Sequence, residues 1–198
     1  SILDEYLKDC PAQYATEIEE TPSKKWINVD GKLGDINTGL LHYLKPPKQH
    51  IVIDFDLKDS SGNKSLALNV AAASKWPPTY TEVSKSGYAL HLHYDYDGDT
   101  TRLSRIFEFD IEIKVFNGDA SLRRKLTRCN NLPVAKINSG LPLKGEKRVY
   151  DAKTITQEKT IVEMILRNIE KEIHPNTRPS VDFIKKILDD AYESGVRY

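Results

Sequence analysis

Residues 51–58 read Ile51-Val52-Ile53-Asp54-Phe55-Asp56-Leu57-Lys58. A period of two predicts a β-strand with Ile51, Ile53, Phe55 and Leu57 on one face and Asp54 and Asp56 on the other. Two carboxylates about 4 Å apart on one face repel by a few kcal/mol at a surface-like dielectric. A hard divalent cation with oxygen ligands turns that repulsion into binding. A solvated strand face explains Asp-x-Asp equally well on its own, so the rest of the sequence has to decide.

Two further segments alternate in the same way. After the turn-prone run Ser84-Lys85-Ser86-Gly87, residues Tyr88 to Tyr96 place Tyr88, Leu90, Leu92, Tyr94 and Tyr96 opposite Ala89, His91, His93 and Asp95. From Phe107 to Val115, the residues Phe107, Phe109, Ile111, Ile113 and Val115 oppose Glu108, Asp110, Glu112 and Lys114. Antiparallel sheets with one face in water alternate in this fashion. They more often carry Thr, Ser and Lys on the wet side than acids and imidazoles.

In chain order, Asp54-x-Asp56, then Ser86-Gly87 followed by His91, then Ile111-Glu112-Ile113-Lys114 resembles the archaeo-eukaryotic primase superfamily. Phage and plasmid primase-polymerases are the nearest in style, and the likeness covers residues 45–120 by motif. The resemblance implies that Asp54 and Asp56 hold catalytic metal, with Glu112 as the third metal-site acid. It implies that His91 contacts the phosphates of an incoming nucleotide, with Ser84 and Ser86 nearby. Lys85, Lys114 and Arg123 or Arg124 would then hold the triphosphate. The sequence departs from the family pattern at Tyr88-Ala89-Leu90, where a second small residue often precedes the His. The third acid is commonly Asp, and Asp110, expected on the same face as Glu112, competes for that role. The metal expected for such an all-oxygen site is Mg²⁺ or Mn²⁺.

Composition narrows the partners. Acidic and basic residues balance at 29 each, but they are unevenly placed. Residues 1–20 hold six acids against Lys8, whereas residues 121–148 hold Arg123, Arg124, Lys125, Arg128, Lys136, Lys144, Lys147 and Arg148 against Glu146 alone. A basic segment beside an acidic metal face suits a phosphate-bearing substrate, so the expected partners are nucleotide triphosphates and a single-stranded DNA template. A solvated basic loop is the plainer reading of the same run. No apolar run is long enough for a transmembrane helix, and the acidic start Ser1-Ile2-Leu3-Asp4-Glu5 is unlike a signal peptide. Cys10 and Cys129 lack zinc-ligand spacing. These features lead us to expect a reducing cytoplasm, in a bacterium or a phage-infected host, and no membrane partner. The sole methionine, Met164, leads us to expect a processed or excised chain.

The expected fold class is α/β (α+β): a primase-polymerase-like core whose mixed sheet bears the acidic site, with at least one crossover connection, followed by a C-terminal helical pair. Residues 1–9 read as a helix ending before Cys10-Pro11. Ser60-Ser61-Gly62-Asn63 is expected to cap a helix over 64–75, stopped by Trp76-Pro77-Pro78. Asp97-Gly98-Asp99-Thr100 reads as a hairpin tip joining the His strand to the acidic strand. The catalytic domain is expected over 1–150. Over 151–198, a capping box at Thr154–Gln157 precedes Ile161, Ile165, Ile169 and Ile173 on one helical face. Ser180 can cap a second helix carrying Ile184, Ile187 and Leu188, with Gly195 at its end. This extension packs on the core or leads to an absent C-terminal module such as a helicase.

Other motifs carry less. Asp95-x-Asp97-x-Asp99 lacks the Gly and the closing Glu of a calcium loop. His42, His50 and His174 read as surface or packing residues, and Trp26 and Trp76 as core. His93 shares the expected face of His91, as a ligand, a second phosphate contact or a mere neighbour. No Gly-x-Ser-x-Gly elbow accompanies Ser84 or Ser86. The leading expectation is a DNA-dependent nucleotidyltransferase, a primase or primase-polymerase using two metals in phage or plasmid DNA replication. The alternatives are a metal-dependent nuclease built on Glu112-x-Lys114 with a hairpin acid, and a non-catalytic single-strand or origin-binding module.

Overall fold

Short alternating segments assemble into two β-sheets with two α-helices in the computed structural model, which describes residues 1–146. Residues Ser1–Lys144 form one compact unit. In chain order the elements are α1 (Ile2–Tyr6), β1 (Ala12–Tyr14), β2 (His42–Leu44), β3 (His50–Phe55), α2 (Leu66–Ala73), β4 (Thr81–Val83), β5 (Leu90–Tyr96), β6 (Ile106–Glu108), β7 (Ile111–Val115), β8 (Leu122–Arg124) and β9 (Ala135–Ile137). The helical pair expected over 151–198, with His174, lies outside the described residues. Among those described, no helix is long and apolar enough to cross a membrane.

The larger sheet runs β4-β5-β3-β7-β6, and β9 joins β5 in parallel at Tyr94–Tyr96, beyond the stretch that β4 occupies. All other pairings in this sheet are antiparallel. The sheet is therefore mixed, as expected. Strands β3 and β4 run the same way with β5 between them, so the chain through α2 is the expected crossover, a split β-α-β unit. The smaller sheet is β1-β2-β8, wholly antiparallel.

Alternation along β3 explains the layering. Ile51, Ile53 and Phe55 are fully buried on one face with Leu90, Leu92, Tyr94, Ile111 and Ile113, against Leu66, Ala72, Ala73 and Trp76 of the α2 segment. Each such side chain contributes about 1.5–3 kcal/mol through burial. The opposite face is not simply wet. Val52 packs there with Leu3, Leu7, Leu44, Tyr80, Phe116 and Leu122, so α1 and the smaller sheet cover part of it. The polar face of β3 and β5 is thus half interior and half cleft.

Several boundaries differ from expectation. Phe107–Val115 is not one strand: it folds back at Phe109-Asp110, with Asp110 in the left-handed region (φ 59°), giving the β6–β7 hairpin. Asp110 therefore lies in a turn rather than beside Glu112 on a strand face. Asp97–Thr100 is not a hairpin tip, because β3 separates β5 from β7. Asp99 instead caps a 3₁₀ turn at Thr100–Arg102, and the chain crosses to the far edge of the sheet. Tyr88 stands outside β5 and is exposed. Helix α2 starts later than expected and is capped by Ser65, whose Oγ accepts from Leu68 N, rather than by Ser60–Asn63. Helix α1 ends at Tyr6. Trp76 packs among Phe55, Tyr94 and Phe107 as core, while Trp26 is only half-buried, with Lys45 Nζ 6.0 Å from its ring centre.

Candidate functional site

Where the smaller sheet stops covering the larger one, the polar face of β3 opens into a cleft of about 470 Å³. Its walls are Asp54 and Asp56 from β3 and its end, His91 from β5, Lys114 from β7, Ser84, Lys85 and Ser86 from the β4–β5 loop, and Arg123 and Arg124 from β8, joined by Leu41, Lys64, Glu82 and Lys125. Segments distant in sequence, from Leu41 to Lys125, meet here because β3 is flanked by both β5 and β7 and the smaller sheet lies over its polar face. Asp54 is the register partner of His91 on one side and of Glu112 on the other.

Asp54 is the electrostatic centre. Lys114 Nζ lies 3.1 Å from its Oδ2, and His91 Nε2 lies 3.4 Å from Oδ1. Burial alone would push this carboxyl up, but the proximity of His91 and Lys114 outweighs it and holds the group well below the usual carboxylate range. Asp54 is therefore ionised throughout the neutral range. Asp56, one residue past β3, is anchored by its backbone N–H donating to Asp110 O at 2.9 Å and faces Lys64 Nζ at 3.4 Å. One oxygen on each carboxylate, Asp54 Oδ1 and Asp56 Oδ1, is buried and has a cation at 3.4 Å in place of a close hydrogen bond, His91 Nε2 and Lys64 Nζ respectively.

Among the described residues, no three His, Cys, Asp or Glu side chains group closely enough to hold a metal by themselves. The two acids nonetheless fit Mg²⁺ or Mn²⁺, because Mg²⁺ commonly takes one or two carboxylates and completes its shell with water and substrate phosphate, and their Oδ1 atoms are held only by cations at 3.4 Å, His91 Nε2 and Lys64 Nζ. Glu112 does not line the cleft. It lines a neighbouring groove with Arg105, Ser121 and Lys144, and Lys114 stands on the boundary between the two.

The β4–β5 loop is a tight turn that brings two hydroxyls to the cleft wall. Gly87 N–H donates to Ser84 O at 2.9 Å, and Gly87 takes φ 83°, a left-handed conformation that favours glycine. The turn brings Ser84 Oγ and Ser86 Oγ within 2.9 Å of each other, with the Lys85 side chain half-exposed between them. Six basic side chains line the cleft against three acidic ones, and two acids outside the lining, Glu20 and Asp4, pair with Lys85, Arg123 and Arg124.

Sequence reasoning missed the buried network beneath the cleft floor. Arg124 Nε donates to both carboxylate oxygens of Glu82 at 2.9 and 3.0 Å, and Nη2 donates to Oε1 at 2.6 Å. Nη1 donates to Asp4 Oδ1 at 2.7 Å, tying α1 to β8. Tyr80 O–H donates to Glu82 Oε1 at 2.6 Å, and burial with the nearby Glu82 charge pushes its phenol up. Arg124 is thus an anchor whose fork is filled by protein carboxylates, whereas Arg123 is half-exposed. The signal that existed was the pair Arg123-Arg124 itself: adjacent strand residues face opposite ways, so one had to point inward. Nothing in the short Thr81–Val83 segment marked Glu82 as its partner.

His93 is wholly buried and does not line the cleft. It shares a 2.8 Å hydrogen bond with His50, Nδ1 to Nε2. Burial pushes both imidazoles down, His50 to about 4, so both are neutral near pH 7. His42 is buried too, its Nδ1–H donating to Leu40 O at 2.7 Å. The histidines other than His91 are therefore interior groups among the described residues. Cys10 and Cys129 are free, half-buried thiols.

Neither the scan of protein-family models nor the search of curated proteins returns a match for this chain.

Proposed function

We propose that the cleft binds a nucleoside triphosphate and that the protein is a DNA-dependent nucleotidyltransferase of the primase or primase-polymerase type. The observation that carries this reading is the convergence in one cleft of two acids, an imidazole, a Ser-Lys-Ser-Gly loop and several cations. Such a cleft suits phosphoryl chemistry, where positioning and charge stabilisation supply most of the rate. Asp54 and Asp56 would hold Mg²⁺ or Mn²⁺, which when bound would neutralise phosphate charge and activate the attacking hydroxyl. His91 and the Ser84–Gly87 loop would position the phosphates. Lys114, already on Asp54, would orient that carboxylate and add positive charge beside it. Glu112 could contribute only by turning from the groove it now lines. Single-stranded DNA is the template this reading requires.

A nuclease reading draws support from the register pairing of Asp54 with Glu112 and the contact of Lys114 with Asp54. It leaves the Ser84–Gly87 loop and the surplus of cations without a role. Incubating labelled single-stranded DNA with Mn²⁺, with and without nucleotides, separates the two on a gel. Nucleotide-dependent longer products, lost in Asp54→Asn and in Asp56→Asn, are expected. Shorter products without nucleotides, lost in Lys114→Ala, would instead establish the nuclease.

A further inference from the structure

Glu20 belongs to the turn between β1 and β2 and does not line the cleft, yet it binds two of the cations that do. Lys85 Nζ lies 2.5 Å from its Oε1, and the Arg123 guanidinium donates to its Oε2. The two cations come from separate elements, the β4–β5 loop and β8, and among the described residues this carboxylate alone bridges them. The turn is built to hold it there. Glu20 takes φ 52°, a left-handed conformation uncommon for a side-chain-bearing residue. Tyr43 O–H donates to the Glu20 carbonyl at 2.6 Å, and the Glu20 N–H donates to Thr16 O at 3.1 Å. Held backbone of this kind tends to occur at working parts of a protein.

Three other cations of the cleft are differently employed. Lys114 and Lys64 face the site acids Asp54 and Asp56, and Arg124 is filled by Glu82 and Asp4. Lys85 and Arg123 are paired with a carboxylate from outside the cleft, one on each of its oxygens. We infer that Glu20 is an internal competitor for the nucleotide's phosphates: it occupies Lys85 and Arg123 in the empty cleft and is displaced when a triphosphate enters. This rests on the triphosphate reading above. The three side chains are 40–46% exposed, and exposed pairs of this sort exchange at little cost. A polyphosphate carrying several charges displaces one carboxylate readily, whereas a monophosphate does so poorly. The turn thereby selects for the triphosphate by charge.

The test is calorimetric titration of wild type, Glu20→Gln and Tyr43→Phe with Mn²⁺-dATP and with inorganic tripolyphosphate, the melting temperature of each variant being read alongside. Glu20→Gln is expected to bind both ligands about threefold to tenfold more tightly, since two weak exposed pairs no longer compete. Tyr43→Phe, which loosens the turn but keeps the carboxylate, should shift affinity the same way by less. The gain from Glu20→Gln should shrink when it is made in a Lys85→Met background, as coupled residues require. Wild type that binds triphosphate while both variants bind no more tightly overturns the competitor role and leaves the triphosphate reading intact. If wild type and Glu20→Gln both fail to bind either ligand, the two inferences fall together. Binding by Glu20→Gln where wild type is silent supports both.

Discussion

Replacing Arg124 with Met tests whether this residue anchors the cleft floor or grips substrate. Its side chain and that of Glu82 are 1% and 3% exposed, and three of its N–H···O contacts go to Glu82 with a fourth to Asp4. Deleting it leaves a buried carboxylate uncompensated, which costs about 3–5 kcal/mol when one partner of a buried pair is removed. For a domain of this size that corresponds to a melting temperature lower by roughly 10 °C. Replacing both partners, Glu82→Leu with Arg124→Met, removes the stranded charge, and the double variant should recover much of the loss because buried pairs exchanged for apolar side chains are often near neutral. Thermal melts and urea titrations followed by circular dichroism give both numbers. A single variant that melts within about 2 °C of wild type, less than 1 kcal/mol on the same scale, would refute the anchor. A double variant less stable than the single would show that the network is held by more than this pair.

His91→Ala should weaken triphosphate binding without greatly changing stability, because His91 lines the cleft, whereas His93→Ala should lower the melting temperature by opening a buried cavity beside His50; equal losses of affinity in the two would contradict these positions. Acid should destabilise the fold well before the carboxylates titrate. His50 has its pKa lowered from 6.5 to about 4 and His93 is lowered too, so the unfolded chain binds more protons and stability falls as pH drops from 6.5 towards 4; a melting temperature that stays flat over that window would contradict buried neutral imidazoles. Asp54 works in the lower window: its depressed pKa supplies stability above about pH 4 that disappears on further acidification, so Asp54→Asn should flatten the stability profile below pH 4.

The parts of the fold legible in the sequence were those written in alternation. Ile51, Ile53, Phe55, Leu90 and Leu92 face the core as the period of two requires, and Asp54, Asp56, His91, Lys114 and the Ser84–Gly87 loop meet in one cleft. Alternation cannot report what covers a face, so His93 reads like His91 although it is wholly buried beside His50 and Tyr80, and Val52, the apolar residue on the acidic face, is where the smaller sheet and α1 cover it. Nor can it show a chain reversal. The turn at Phe109-Asp110 carries no Gly or Pro, and the register shift between Ile106 and Glu108 returns Phe107 to the core, so one long strand and a hairpin read alike. Arg124 looked like its neighbour Arg123 because only tertiary packing with Glu82 and Asp4 distinguishes them.

The row His91–Asp54–Glu112 crosses three strands at one level, and this has a kinetic consequence. None of these residues is near another along the chain, so the row forms only after two long loops have closed, the step that makes non-local topologies slow to fold. Asp54 would be a buried, uncompensated charge if β3 collapsed onto the core before β5 and β7 delivered His91 and Lys114. A half-formed sheet is therefore penalised where the cleft will be. During refolding from urea, the ability to bind a polyphosphate should return with the final cooperative phase rather than with early collapse, so that a chain either possesses the whole cleft or none of it.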